Sequence, residues 1–490
     1  MSSPNLQQRR AGILLHPTSL PSGVLDGDVE HWLQLMAKAG FSVWQVLPLG
    51  EPQSGLSPYQ CTSAFAFNPV FLSTFTAIDK SDPEFIRFCD RQKFWLDDYV
   101  LFKVLRQHFN DVAWVEWPDP WKYRDPDTLQ QSAKEHEDAI TELKWQQYQL
   151  HKRWHEIRKK ASDMDILLFG DMPIFIAYDS ADVWAHPEWF LLDSNDNMTV
   201  VSGVPPDYFS ETGQRWGNPH YDWDVMRQDG FSWWKSRIDH HLELFDLVRI
   251  DHFRGLEAAW EIDAACETAV DGHWQKIPGD ELLSTLQSSI ENCEEQLPFV
   301  AEDLGIITPE VTALRKKYNL PGMSILQFGF DEFEDNPHKP QNIKEDTVVY
   351  TGTHDNDTTK GWFNSLEDNV KNHVLKALNL PVTDDANVEN PDAETSEVDR
   401  GGCWYDNLDV ADIVVDRMVD NAMHSRANIC IIPIQDCLHL DSDARMNTPG
   451  TIDGNWQWKF TWEQIEHLHD SSRMKKMRMR NESTHRLAGS

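Results

Sequence analysis

A (β/α)8 TIM barrel with largely helical insertions after strands 2 and 3 is the fold this sequence predicts, on three observations. Eight short apolar runs punctuate the chain, helical patterns lie between many of them, and 490 residues suit one large barrel with insertions. The runs are "GILLH" (12–16), "VWQVLPL" (43–49), "ILLFGDMPI" (166–174), "LVRID" (247–251), "LPFVAEDLG" (297–305), "SILQFGF" (324–330), "TVVYTG" (347–352) and "NICIIPIQD" (428–436). Most are continuously apolar rather than alternating, as strands buried on both faces of a parallel sheet are.

Helical periodicity is read around 29–40, 228–245, 281–295, 309–318, 366–378 and 408–426. The long interval between the second and third runs includes "KEHEDAITELKWQQYQLHKRWHEIRKK" (134–160), which is polar and helical. Segment 52–162 is therefore read as a helical inserted subdomain and 175–227 as an inserted substrate-loop region, both within a single catalytic barrel covering 1–490. The stretch 381–402 is strongly acidic and is read as a solvated surface loop.

Composition excludes several classes of function. The formal net charge is -36, so nucleic-acid and anionic-membrane partners, which need concentrated Lys and Arg, are not expected. Seven cysteines, an odd number without CxxC spacing, predict reduced thiols rather than a disulfide framework or zinc cluster. No run approaches the ~20 apolar residues of a membrane span, and "MSSPNLQQRRAG" has no apolar signal core, so a cytoplasmic protein is expected. Phosphate-loop, HExxH, GxGxxG and GxSxG motifs are missing, and the twenty histidines are read as forming no ligand-spaced cluster. No metal and no cofactor is expected. Twenty-one tryptophans suit core filling or, collectively, a protein that stacks aromatic rings on the C–H faces of sugars.

In a parallel barrel chemistry gathers at the C-terminal ends of the strands. The fourth run ends on Asp251, the fifth on Glu302 and Asp303, and the seventh is followed by His354 and Asp355. Residues two apart on a strand share a face, so Arg249 and Asp251 are expected to point the same way, and a guanidinium favours an ionised carboxylate. Glu302 and Asp303 alternate, so one is expected to face the site while the other anchors the loop. Glu302 follows Phe299, Val300 and Ala301, an apolar setting that raises a carboxyl pKa toward what a general acid needs. One ionised and one protonated carboxyl group are the apparatus of glycoside chemistry.

At these residues the chain resembles the 4-α-glucanotransferases, or amylomaltases, of glycoside hydrolase family 77 in the α-amylase clan. The similarity runs nearly end to end through "AGILLHPTSLPSG" (11–23), "WQVLPLG" (44–50), "SPYQ" (57–60), "GDMPIFIAYDSADVW" (170–184), "GVPPDYFSETGQRWGNPHYDW" (203–223), "RIDHFRG" (249–255), "VAEDLG" (300–305), "PGMSILQF" (321–328), "TGTHDNDT" (351–358), "ARMNTPGT" (444–451) and "GNWQW" (454–458). The resemblance implies Asp251 as nucleophile, Glu302 as general acid/base and Asp355 as a transition-state stabiliser. It places Arg249, His252 and His354 around the reacting sugar and Ser57 and Tyr59 along the donor chain. Asp207, Gln214 and Trp216 belong to a loop over the acceptor side, and Asn455 is a further substrate contact. The implied reaction moves α-1,4-glucan segments between maltooligosaccharides through a covalent glycosyl-enzyme. The alternatives are an α-1,4-glucan hydrolase and a glucan-binding protein without catalysis. Protein partners are left open.

Overall fold

The apolar runs become strands because continuous burial leaves their backbone groups no partner but one another. In the computed structural model the eight are β1 (Arg10–Leu14), β2 (Val43–Gln45), β3 (Leu167–Met172), β4 (Leu247–Ile250), β5 (Phe299–Ala301), β6 (Gly322–Ile325), β7 (Thr347–Tyr350) and β8 (Ile429–Pro433). The structure describes residues 6–206, 210–290, 296–382, 409–451, 453–469 and 472–487. The strands hydrogen-bond in the order β6-β7-β8-β1-β2-β3-β4-β5, with the last strand of the chain beside the first and β5 and β6 at the two ends of the order. β1 with β8, β7 with β8, β3 with β4 and β4 with β5 all pair parallel. That topology is the predicted eight-stranded barrel, in which a helical crossover returns the chain to the next parallel strand.

Two compact units are distinguished within the chain. The first comprises, among the described residues, His16–Gln34 and Gln45–Gly322, and holds β3, β4 and β5. The second comprises Leu6–Leu15, Leu35–Trp44 and Met323–Ser490, and holds β1, β7 and β8. Several strands are shorter than their apolar runs. β8 stops at Pro433, which has no N–H to donate, and a helical turn, Ile434–Cys437, takes over. β6 gives way to the 3-10 turn Leu326–Phe328.

The insertion after β2 is helical as expected, with Pro83–Arg91, Lys93–His108, Pro126–Glu135 and the long helix Glu137–Asp163. Asp82 and Asp125 cap two of these helices, accepting from the N–H groups of Glu84 and Thr128, with proline in the first turn. The insertion after β3 differs from the largely helical expectation. Short helices Ala181–Ala185 and Trp223–Gln228 flank two strands, Val200–Val204 and Gln214–Pro219. These join Ala258–Asp263 and Gly272–Lys276 in a four-stranded antiparallel sheet around buried Val201, Ile262 and Ala269. Its pairing partners lie after β4, too far along the chain for a local pattern to disclose. Gly203 sits at a register shift, where a Cβ would come within 2.2 Å of the Gln214 carbonyl oxygen.

Helices Gly27–Ala39, Ser232–Leu244, Gly279–Ser289, Pro309–Lys317 and Val410–His424 fall where periodicity put them, within a few residues. The pattern at 366–378 is helix Asp368–Ala377, and a further helix, Thr359–Ser365, precedes it. Much of the tryptophan is core: Trp44, Trp114, Trp154, Trp184 and Trp234 are fully buried. Cys61, Cys89, Cys266, Cys430 and Cys437 are free thiols. The acidic stretch lies, from residue 383 onward, outside the described residues.

Candidate active site

Register builds the first part of the site. Asp171 of β3 pairs with Arg249 of β4, which pairs with Val300 of β5. Arg249 Nη1 donates to both oxygens of Asp171, at 2.8 and 2.7 Å, while Nη2 reaches Asp251 Oδ1 at 2.8 Å. The Asp171 side chain is 0% exposed, whereas that of Asp251 is 29% exposed. Burial alone lowers the pKa of Arg249, but Asp171 and then Asp251 outweigh it, and the guanidinium is held well above its ordinary range. One buried acid thus anchors a permanent cation that faces a second, accessible acid. Tyr59 also converges here: its hydroxyl donates to Asp171 Oδ2 at 2.8 Å, and its N–H donates to Ser57 Oγ at 3.3 Å.

The chain turns sharply where β4 ends. His252 adopts the left-handed conformation, φ 50° and ψ 50°, at a strain of about 1–3 kcal/mol for a non-glycine residue. The turn is braced by Asp251 N–H donating to Met172 O at 3.0 Å and Phe253 N–H donating to Glu302 O at 3.1 Å. Its consequence is that His252 N–H donates to Glu302 Oε2 at 2.7 Å, while Leu304 N–H donates to Oε1 at 2.9 Å. Glu302 therefore binds the very peptide that follows Asp251, so the two carboxyl groups border one turn. Burial drives the Glu302 pKa up to about 7; Arg249 and the two backbone N–H groups pull the other way, and Asp251 adds to the rise. Near neutral pH this carboxyl group exchanges its proton freely, as an acid/base catalyst requires.

Asp303 takes the opposite face, as alternation predicts. Its Oδ2 lies 3.1 Å from Arg315 Nε, and it covers Gly322, where a Cβ would come within 2.4 Å of the same oxygen.

The antiparallel sheet supplies the next wall. Trp216 Nε1 donates to Gln214 Oε1 at 3.1 Å, and the Trp216 ring meets the His252 ring edge-on at 4.8 Å. Burial pushes the His252 pKa down to about 4, so the imidazole is neutral, and its buried Nε2 has no hydrogen-bond partner among the described residues. A neutral ring nitrogen with an unused hydrogen-bonding position suits a hydroxyl group. Asp207 lies outside the described residues.

The second unit presents its acid differently. After β7, Asp355 N–H donates to Thr353 Oγ1 at 3.3 Å, and Arg445 Nη2 donates to the Asp355 carbonyl at 2.7 Å. Asn447 Nδ2 donates to Asp355 Oδ1 at 2.6 Å, and His354 Nε2 stands 3.4 Å from Oδ2. Buried Asp436, at the end of the eighth run, ties this loop down by accepting from Thr351 and Thr359. Asn455 is committed to its own loop: Oδ1 accepts from Thr448 N–H at 2.9 Å, and Nδ2 donates to Thr451 O at 3.0 Å. The next residue, Trp456, has its ring 5.9 Å from that of His354.

Sequence reasoning passed over Asp171, Arg445 and Asn447. Asp171 had a legible signal, an acid inside the third apolar run, where an unpaired charge is not tolerated. Arg445 and Asn447 had none beyond their motif, because their bonds to Asp355 span ninety and ninety-two positions.

The 4-alpha-glucanotransferase family model, that of glycoside hydrolase family 77, matches residues 15–78 and 74–465. The chain belongs to this family. Among curated family members, it is similar to the 4-alpha-glucanotransferase of Thermus thermophilus, at 40% identity over 98% of this chain and 99% of that one. It is 37% identical to the Synechocystis sp. enzyme of the same name, over 94% of this chain and 95% of that one. The chloroplastic/amyloplastic 4-alpha-glucanotransferase of Solanum tuberosum is 37% identical, over 92% of this chain and 82% of that one. Among solved structures, the amylomaltase of Streptococcus agalactiae in complex with acarbose superposes with a TM-score of 0.85 at 29% identity, covering 98% of this chain and all of that one. The glycoside hydrolase family 77 fold is thus this chain's fold. Among the described residues no helix is long and apolar enough to cross a membrane.

Proposed function

We propose that the chain moves α-1,4-glucan segments from one maltooligosaccharide to another by a retaining double displacement. The observation that carries this reading is the turn after β4. There Asp251 faces a fixed guanidinium, while Glu302, held by the next peptide, has its pKa raised to about 7. In the first step an Asp251 oxygen attacks the anomeric carbon while Glu302 gives its proton to the departing glycosidic oxygen. The leaving chain departs with a free 4-hydroxyl and the donor remains as an ester on Asp251. In the second step Glu302, now a carboxylate, takes the proton of an acceptor 4-hydroxyl as that oxygen displaces Asp251. Such chemistry calls for carboxyl groups ~5–5.5 Å apart.

On this reading Asp355 hydrogen-bonds the reacting sugar and stabilises the transition state, and Arg249, His252 and His354 surround that sugar. Ser57 and Tyr59 lie along the donor chain. Asp207, Gln214 and Trp216 belong to a covering loop that favours a bound acceptor hydroxyl over water. Asn455, whose amide is also engaged in its own loop, is a further substrate contact. The chain works as one catalytic barrel in the cytoplasm, with 52–162 and 175–227 as its insertions.

Incubation with pure maltotriose tests the assignment. Glucane transfer yields glucose together with a ladder of longer oligosaccharides. Release of glucose and maltose without longer products makes the chain a hydrolase, and tight binding without turnover makes it a binding protein.

A further inference from the structure

The helical insertion contains a cluster that the transfer chemistry does not use. His151 and His155 stand one turn apart on helix Glu137–Asp163, and Glu243 lies on helix Ser232–Leu244. One ligand atom from each residue lies within 4.8 Å of the others. This overturns the sequence reading that no histidines have ligand spacing: HxxxH on a helix is such a spacing, and the third donor arrives from eighty-eight positions further along the chain.

The hydrogen bonds show which atoms face inward. His155 Nδ1 lies 2.8 Å from the His151 carbonyl oxygen, which only accepts, so Nδ1 carries the proton and Nε2 carries the lone pair. That Nε2 stands 3.7 Å from Glu243 Oε1. The Nε2 of His151 stands 3.6 Å from the same oxygen, and it is buried with no hydrogen-bond partner among the described residues; His151 as a whole is 5% exposed. Two ring nitrogens and a carboxylate oxygen thus converge on one point. The two separations exceed a good hydrogen bond, so a proton bridges them poorly. They approach the ~3.3 Å that separates donors on a tetrahedral cation with ~2.0–2.1 Å bonds.

Surrounding groups set how the carboxylate is presented. Gln92 Nε2 donates to Glu243 Oε2 at 3.1 Å, leaving Oε1 for the cluster, while Arg91 Nη2 approaches Oε1 at 3.7 Å from the solvent side. The His155 side chain is 39% exposed, which opens a path for a hydrated ion.

We propose that His151, His155 and Glu243 form a site for a divalent transition-metal cation of the zinc class, with a fourth position open to water. Two imidazoles and one carboxylate suit zinc, cobalt or nickel; calcium and magnesium prefer oxygen donors throughout. The bound ion staples the long helix of the insertion to the helix that runs into β4, the strand ending at Asp251.

The test uses the intact chain stripped with EDTA and then titrated with zinc by calorimetry, with cobalt as a spectroscopic probe. Expected are one zinc per chain, a rise in Tm of about 2–3 °C at zinc a hundredfold above its Kd, and an intense visible cobalt band. His155→Ala, at a half-exposed position, keeps the metal-free Tm and loses at least ~tenfold in zinc affinity along with the cobalt band. Glu243→Gln, which keeps the Gln92 contact, behaves likewise. His273→Ala, on the antiparallel sheet, binds zinc as the parent does. The proposal is overturned if the parent chain shows no zinc-dependent Tm shift, or if His155→Ala binds zinc as tightly as the parent.

Discussion

The turn after β4 and the loop after β7 each present an aspartate that the family resemblance places in the chemistry, yet they hold it by different means. Asp251 is set by strand register: buried Arg249, itself gripped by fully buried Asp171, reaches it across two positions of one strand. The neighbouring Glu302 is held by backbone N–H groups. Asp355 leaves its strand five positions earlier and is held by side chains, Asn447 and His354, with its carboxylate side chain 46% exposed. Backbone-held Glu302 sits where desolvation raises its pKa. The side-chain-held acid sits where its hydrogen-bond direction is specified and its solvation is retained. The first arrangement suits bond making and proton transfer, and the second suits orientation.

The largest effect expected from breaking this contrast is at Asp251. Asp251→Asn keeps a partner for Arg249 but removes the nucleophile, and transfer from maltotriose should fall by about 10⁴-fold or more while the Tm stays near that of the parent. Glu302→Gln should cost about 10²–10⁴-fold. In the parent, kcat/KM should decline as pH rises through about 7, because Glu302 must enter protonated, and the variant should lack that limb. The same group makes a stability prediction. Its folded pKa is raised, so its contribution is full below the unfolded carboxyl value and is lost as pH rises to about 7. Thermal scans across that window should show the parent losing stability relative to Glu302→Gln.

Asp171→Ala tests the register-based half by stability. It leaves a buried guanidinium with Asp251 alone and should cost about 3–5 kcal/mol in denaturant melts, with at least ~tenfold slower transfer. Asn447→Ala tests the side-chain-held half: Asp355 stays accessible to water, so the fold should be indifferent while kcat falls about tenfold. Smallest is Gly322→Ala, which pushes a methyl group against the Asp303 carboxylate, away from the catalytic face. Stability should drop by about 1–2 kcal/mol with kcat unchanged.

The contrast also explains what was readable in advance. Arg249, Asp251 and Glu302 were legible because period-two alternation on a known strand tells which residues share a face, and the apolar residues before Glu302 announce its desolvation. The opposite orientation of Asp303 followed from the same rule. Asp171 was legible in principle, as an acid within an apolar run. Arg445 and Asn447 were not, since nothing local marks a loop residue that will meet Asp355 ninety positions away. The antiparallel sheet behind Trp216 was hidden for the same reason: its strands come from both sides of β4. The paired histidines were visible as a spacing, but a carboxylate from another helix was needed to turn the spacing into a cluster.

By itself the sequence determined the eight-stranded barrel, the helical character of the first insertion, and which strand ends bear acids. Hydrophobic periodicity and side-chain alternation are local properties of a chain. Tertiary structure alone decided which acid is buried against which cation, which backbone N–H groups hold Glu302, and which loops brace Asp355. Those outcomes depend on desolvation and hydrogen-bond geometry, which exist only once residues distant in sequence have been brought within a few ångströms of one another.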